Sequence, residues 1–142
     1  MPGYKRRRKR EKEQRRQNIL KAAKKLFIER GFKSVTVANI AEKAELSKGA
    51  IYLYFSSKEE IYAQILLTDI EHFHGKISQI FNGGKSAADI LLDFADAYID
   101  IFLKEREQFR ILMNFMLQAD NLNLSRETRK RIIAEMNRTI SL

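Results

Sequence analysis

At 142 residues, with 44% hydrophobic and 32% charged positions, the chain has the size of one domain or two very small ones. Its 27 Lys and Arg against 18 Asp and Glu give a net charge of +9, which calls for an anionic partner. The lack of cysteine excludes thiol nucleophiles, disulfides and cysteine-held metals, and one proline with six glycines leaves little material for a turn-rich β fold.

The charge is uneven along the chain. Up to Lys58 there are 17 basic and 5 acidic residues, a balance of +12; beyond it 10 basic face 13 acidic, a balance of −3. The densest run is Lys5 to Arg16, where nine basic residues meet only Glu11 and Glu13. Residues 1–16 read as a basic, flexible arm. No charge-free apolar run approaches the roughly 18 residues of a membrane span, and no signal-like stretch follows the start. The expectation is a soluble cytoplasmic protein with no membrane association.

From Ile19 the apolar residues Ile19, Leu20, Ala23, Leu26 and Phe27 form a helical stripe, and Gly31 offers the left-handed stop just past its end. Ser34 or Thr36 can cap a short second helix, Val37 to Ala44, and Ser47 can cap a third of two turns running to Phe55. Ser57 with Glu60 has capping-box spacing, and a long fourth helix follows to the break at Asn82-Gly83-Gly84. Ser86 opens a fifth helix to Phe102. A sixth carries Phe109 to Met116, Asp120 to Asn123 read as a loop, and Ser125 begins a last helix with Ile132, Ile133, Met136 and Ile140 on one face. The fold class is all-α. Two domains are expected, 17–62 and 63–142, joined by the long fourth helix.

Two short helices joined by a turn around Glu45 to Ser47, with a helix to brace them, form the arrangement that presents the second of the pair to a DNA major groove. The chemistry of the third helix suits that role. Gly49 and Ala50 let it approach base edges, Lys48 can donate to guanine acceptors or phosphate, and the hydroxyls of Tyr52 and Tyr54 can meet phosphate oxygens. Ile51 and Phe55 fill the inward face. A helix start with free amides beside Lys58 is also an anion site.

The string from Thr36 to Phe55, TVANIAEKAELSKGAIYLYF, continued by Ser57-Lys58-Glu59-Glu60-Ile61, closely resembles the helix-turn-helix of the TetR family of transcriptional regulators. The resemblance covers about Ile19 to Ile61. It implies that Thr36 and Ser47 hold phosphates at helix starts, that Lys48, Gly49 and Ala50 approach bases, that Tyr52 and Tyr54 touch backbone or base, and that Lys58 meets a phosphate. It also implies a homodimer reading a palindromic operator as a repressor, released by a small-molecule effector. The arm, including Arg15 and Arg16, is then expected to lie along DNA, in the minor groove or on phosphates.

The resemblance fades after about Leu67. Phe94, Tyr98, Phe102, Phe109, Met113 and Met116 supply aromatics and pliable methionines where the family encloses its effector, which suggests a hydrophobic ligand. Asp89, Asp93, Asp96 and Asp100 form one acidic stripe, best read as a solvated face. His72 and His74 diverge on one helix and make a poor metal pair; they are read as surface residues, with one of them lining the pocket as the alternative. Nothing in the chain assembles a catalytic constellation or a cofactor site, so neither an enzyme nor a cofactor is expected. Two alternatives to the regulator stand: a non-specific architectural DNA-binding protein, and a basic protein drawn to membrane surfaces. Beside the family the chain is short, and its second domain is expected to be incomplete at the C-terminal end. Were the chain complete, the dimer would have to use its last two helices, through Ile132, Ile133, Met136 and Ile140; as a fragment it is expected to expose an apolar edge.

Overall fold

The computed structural model describes residues 2–118 and 121–140, side chains at 139 and 140 excepted. Among these residues it contains α-helices and no strands: α1 (Pro2–Arg30), α2 (Val37–Lys43), α3 (Lys48–Tyr52), α4 (Lys58–Phe81), α5 (Ala87–Lys104), α6 (Arg106–Gln118) and α7 (Arg126–Ile140). The chain divides into two compact units, residues 1–62 and 63–142. Helix α4 contributes to both.

In the first unit, Ile19, Ala23, Leu26 and Phe27 of α1 are buried with Val35, Ile40, Ala41, Ile51, Phe55 and Ile61. Each large aliphatic side chain so buried contributes about 1.5–3 kcal/mol. Phe27, Phe32 and Tyr62 form an aromatic trio with ring centroids 5.1–5.5 Å apart, which binds the end of α1 to the start of α4. Gly31, at φ +79°, ends α1 by donating to the Phe27 carbonyl at 2.9 Å.

The expected flexible arm is corrected here. Residues 2–18 are helical and continuous with the buried part of α1, which therefore starts at Pro2 and not near Ile19. Three physical reasons converge. Proline is at home in a first helical turn; Arg, Lys, Glu and Gln are strong helix formers; and Arg7–Glu11 (3.0 Å), Gln17–Glu13 (2.9 Å) and Gln14–Asn18 (3.1 Å) bond at i, i+4. The nucleus that such a segment cannot form cheaply alone is already supplied by the packed residues from Ile19 onward.

The second unit holds residues 63–81 of α4 together with α5, α6 and α7. Phe73, Ile80, Ile101, Ile111, Phe115, Leu122 and Ile132 are buried. Gly83 (φ +117°) and Gly84 (φ +64°) turn the chain between α4 and α5, and Ser86 caps α5 by accepting from Asp89 N at 3.2 Å. Glu105 joins α5 to α6: its amide donates to the Ile101 carbonyl (2.9 Å) and its own carbonyl accepts from Phe109 N (3.1 Å). Ser125 caps α7 through Thr128 N at 3.1 Å.

Several expectations for this unit change. His74 is buried, not superficial, and its Nε2 accepts from Arg138 Nε at 3.1 Å, which places the ring proton on Nδ1. Of the α7 residues expected to form a dimer surface, Ile132 is buried, Met136 faces a cavity within the unit and Ile133 is exposed; the side chain of Ile140 lies outside the described residues, as do Asp120 and Leu142. The acidic stripe of α5 is largely solvated and locally paired, Asp93 with Lys85 and Asp100 with Lys104.

Candidate functional site

Helix α3 is only five residues long, so its geometry depends on its ends and its neighbours. Ser47 caps it, its hydroxyl accepting from Ala50 N at 3.1 Å. Thr36 caps α2 reciprocally: its hydroxyl accepts from Asn39 N (3.1 Å), and the Asn39 side chain accepts from Thr36 N (3.0 Å). Between the two helices Glu45 adopts φ +57°. Leu46 N donates to the Ala41 carbonyl (2.9 Å) and Glu45 N to the Glu42 carbonyl (3.1 Å), the paired bonds of a Schellman turn. Ile51, with no exposed surface, pins α3 from beneath.

The outward face of α3 carries Ser47, Lys48, Gly49 and Tyr52, all exposed, with Ala50 partly so. Gly49 has nothing within 4 Å of the place a Cβ would occupy, so its smallness leaves a clear approach. The sequence spacing allowed two helical turns to Phe55, but α3 ends at Tyr52. Its C-cap is Leu53, which at 82% exposed is an apolar side chain presented next to Tyr52. Leu53 was not singled out from the sequence, because an aliphatic residue between two tyrosines reads as packing. Tyr54 is half-buried, and Phe55 is in the core.

The basic residues expected to touch DNA divide in two. Arg15 is exposed, whereas Arg16 lies over the Phe55 ring at 5.4 Å. Lys58 is turned inward: its ammonium donates to the Phe32 carbonyl at 2.8 Å and sits 4.1 Å from the Phe32 ring centroid. Its position is thus set by the fold, at the first turn of α4, where Ser57 accepts from Glu60 N at 3.2 Å.

The second unit carries a partly open apolar cavity of about 210 Å³. Ile70, Phe73 and Ile77 of α4, Ile101 of α5, Phe109, Leu112 and Met116 of α6 and Met136 of α7 line it. Of the six residues proposed from the sequence, Phe109 and Met116 are there. Tyr98 and Phe102 stand behind Phe109 in edge-on ring contacts at 6.0 and 5.9 Å, while Phe94 is exposed and Met113 half-buried away from the lining. The α4 residues were missed because a helix that links two units shows only one apolar stripe, with nothing to mark where packing ends and a cavity begins. Between α5 and α6, Glu105 receives His72 at 3.1 Å and an ion pair from Lys76. Burial pushes the Glu105 carboxyl up, and the hydrogen bonds from Lys76 and His72 outweigh it, so it ionises below the ordinary value. Among the described residues no cluster of three His, Cys, Asp or Glu could hold a metal, and no helix is long and apolar enough to cross a membrane.

Residues 19–65 match the family described as bacterial regulatory proteins, tetR family. Over 60 residues the chain is 40% identical to the HTH-type transcriptional regulator YfiR of Bacillus subtilis, covering 42% of this chain and 29% of that protein. It is 32% identical over 77 residues to the HTH-type transcriptional repressor KstR2 of Mycolicibacterium smegmatis, covering 54% of this chain and 38% of the other. The crystal structure of the TetR family transcriptional regulator PfmR from Thermus thermophilus superposes with a TM-score of 0.70 at 31% identity, over 85% of this chain and 62% of that one. The chain spans less than half the length of these curated relatives.

Proposed function

We propose, from the premise that residues 19–65 make this chain a member of the tetR family of bacterial regulatory proteins, that it is a sequence-specific DNA-binding regulator. The observation that carries the reading is α3: a helix capped by Ser47 and pinned by Ile51, with Lys48, Gly49 and Tyr52 on its free face. Such a face fits a major groove, with Lys48 at guanine or phosphate, Gly49 and Ala50 at close approach, and Leu53 against a thymine methyl or sugar. Thr36 and Ser47 stand where helix-start amides and hydroxyls can receive phosphates. Two copies reading a palindrome complete the proposal, since one five-residue helix covers only a half-site.

The apolar cavity supports an effector site for a small lipophilic molecule, bound by Phe73, Phe109, Leu112, Met116 and Met136. The regulator acts in the cytoplasm as a repressor, in the sense of its relative KstR2, and the effector releases it from DNA. No catalytic role is assigned.

Selection of bound duplexes from random-sequence DNA tests the reading. A recovered palindrome that competes at least about a thousandfold better than bulk DNA is expected. Equal competition by bulk DNA would make the chain an architectural protein instead. A reporter driven from the recovered site gives the sign, and rising expression when the chain is present would overturn repression.

A further inference from the structure

We infer that the N-terminal half of α1 is a second, rigid DNA-binding element, a helix that grips phosphates beside α3 with one basic face. The inference rests on the DNA-binding reading above and assigns residues outside the helix-turn-helix to it. Lys5, Arg8, Lys9, Lys12, Arg15 and Arg16 recur at i, i+3, i+4, i+7, i+10 and i+11, the spacing of a single helical stripe. The same row continues into Ile19, Ala23 and Leu26, which are buried in the core of the first unit. The basic stripe therefore faces the side on which α1 meets the helix-turn-helix.

Two features tie the stripe to the segment just after α3. Arg16 lies over the Phe55 ring, which sets the rotation of α1, and Tyr54 lines a groove of about 810 Å³ together with Tyr4, the stripe's cations from Lys5 to Arg15 and a single acid, Glu11. The rest of the helix surface carries Arg6, Arg7 and Arg10, of which Arg7 is paired to Glu11, while Glu13 borders the stripe, bonded to Gln17 and 3.7 Å from Arg16. From Lys5 to Arg16 the stripe runs about 17 Å at 1.5 Å per residue. Duplex DNA carries one charge per roughly 1.7 Å of axis, so a length of this order offers phosphates enough for six cations. A membrane surface fits less well. A helix lying on lipid needs an apolar face, and between Pro2 and Asn18 the large apolar supply is Tyr4 alone.

Three variants of the full chain test this, each titrated at several salt concentrations against the duplex that the unaltered chain selects. Arg8→Gln/Lys9→Gln/Lys12→Gln should lower the slope of log affinity against log salt by about 3 and weaken binding at least about tenfold near physiological salt. Arg6→Gln/Arg7→Gln/Arg10→Gln removes the same charge from the other face and should change the slope by less than about 1. Gln14→Pro keeps every charge but breaks the helix within the stripe, cutting Lys5, Arg8, Lys9 and Lys12 off from the core, and should weaken binding about as much as the first variant while the core stays folded by circular dichroism. Equal slopes for the two triple variants would reduce the segment to a non-directional charged tail, and unchanged binding by Gln14→Pro would restore a flexible arm; either overturns the inference and leaves the DNA-binding reading standing. Tighter binding of the chain to phosphatidylserine vesicles than to duplex, lost in the first variant alone, would also overturn it. Failure of the unaltered chain to select any duplex would sink both.

Discussion

Arg16 sits with its guanidinium carbon 5.4 Å from the centroid of the Phe55 ring. One residue belongs to the long first helix and the other to the segment just after α3, so this contact couples the direction of α1 to the position of α3. Replacing Arg16 by Ala should destabilise the first unit by about 0.5–1 kcal/mol in chemical denaturation. Arg16→Lys retains the charge but loses the planar stack, and should recover the salt slope of duplex binding better than the stability. Equal recovery of both would argue that the ring contact is incidental.

Ser47 separates stability from binding. Ser47→Ala removes the acceptor for Ala50 N and should cost about 1 kcal/mol. Ser47→Asp keeps a capping oxygen and should melt near the unaltered chain, yet it places a carboxylate where a phosphate is proposed to lie. Duplex affinity should therefore fall at least about tenfold with stability preserved. An aspartate variant that binds as tightly as serine would remove Ser47 from the phosphate contacts.

Glu45 occupies the left-handed region at φ +57°, which an L-residue other than asparagine adopts at a cost of about 1 kcal/mol and the achiral glycine adopts freely. Glu45→Gly should then stabilise the first unit by up to about that amount, seen as a higher denaturation midpoint with an unchanged slope. A lower midpoint would show that the Glu45 side chain contributes more than its backbone strain removes.

Ile77→Phe should fill the apolar cavity. Screening fatty acids and polycyclic aromatic compounds by thermal shift should reveal stabilisers of the unaltered chain, and this substitution should abolish their effect. Stabilisation solely by small polar metabolites would contradict a lipophilic effector.

Glu105 gives the second unit a pH dependence of defined sign. Its carboxyl ionises below the ordinary value of 4.5 because the hydrogen bonds from Lys76 and His72 more than offset burial. A depressed carboxyl stabilises above its unfolded pKa and loses that contribution as pH falls through the folded one. Stability should thus be level above about pH 5 and decline below about pH 4.5, and Glu105→Gln should flatten that decline while costing about 1–2 kcal/mol at neutral pH. An identical acid limb in the variant would assign the decline to other carboxylates.

The all-helical class, the capping serines and the short α3 were legible in the residues, because each rests on short-range rules: apolar spacing, a hydroxyl ahead of a helix, a glycine after one. Ser47, Ser57, Ser86 and Ser125 all cap the helices their positions announced. The arm was misread by the same local logic. A run of like charge reads as a repelling, extended tail, whereas helix propagation from the packed residues at Ile19 overrides that repulsion.

By itself, then, the sequence determined the all-helical class, the hydroxyls that cap α3, α4, α5 and α7, and the chemistry that α3 can offer, since all of these are settled within a few residues of chain. The tertiary structure alone decided that Lys58 turns inward to Phe32, that Arg16 rests on Phe55, that Leu53 is left exposed, and that the cavity draws on α4 and Met136 while Phe94 stays outside it. Those outcomes depend on which face of one helix meets which face of another, and residues far apart in the chain carry no local signal of that meeting.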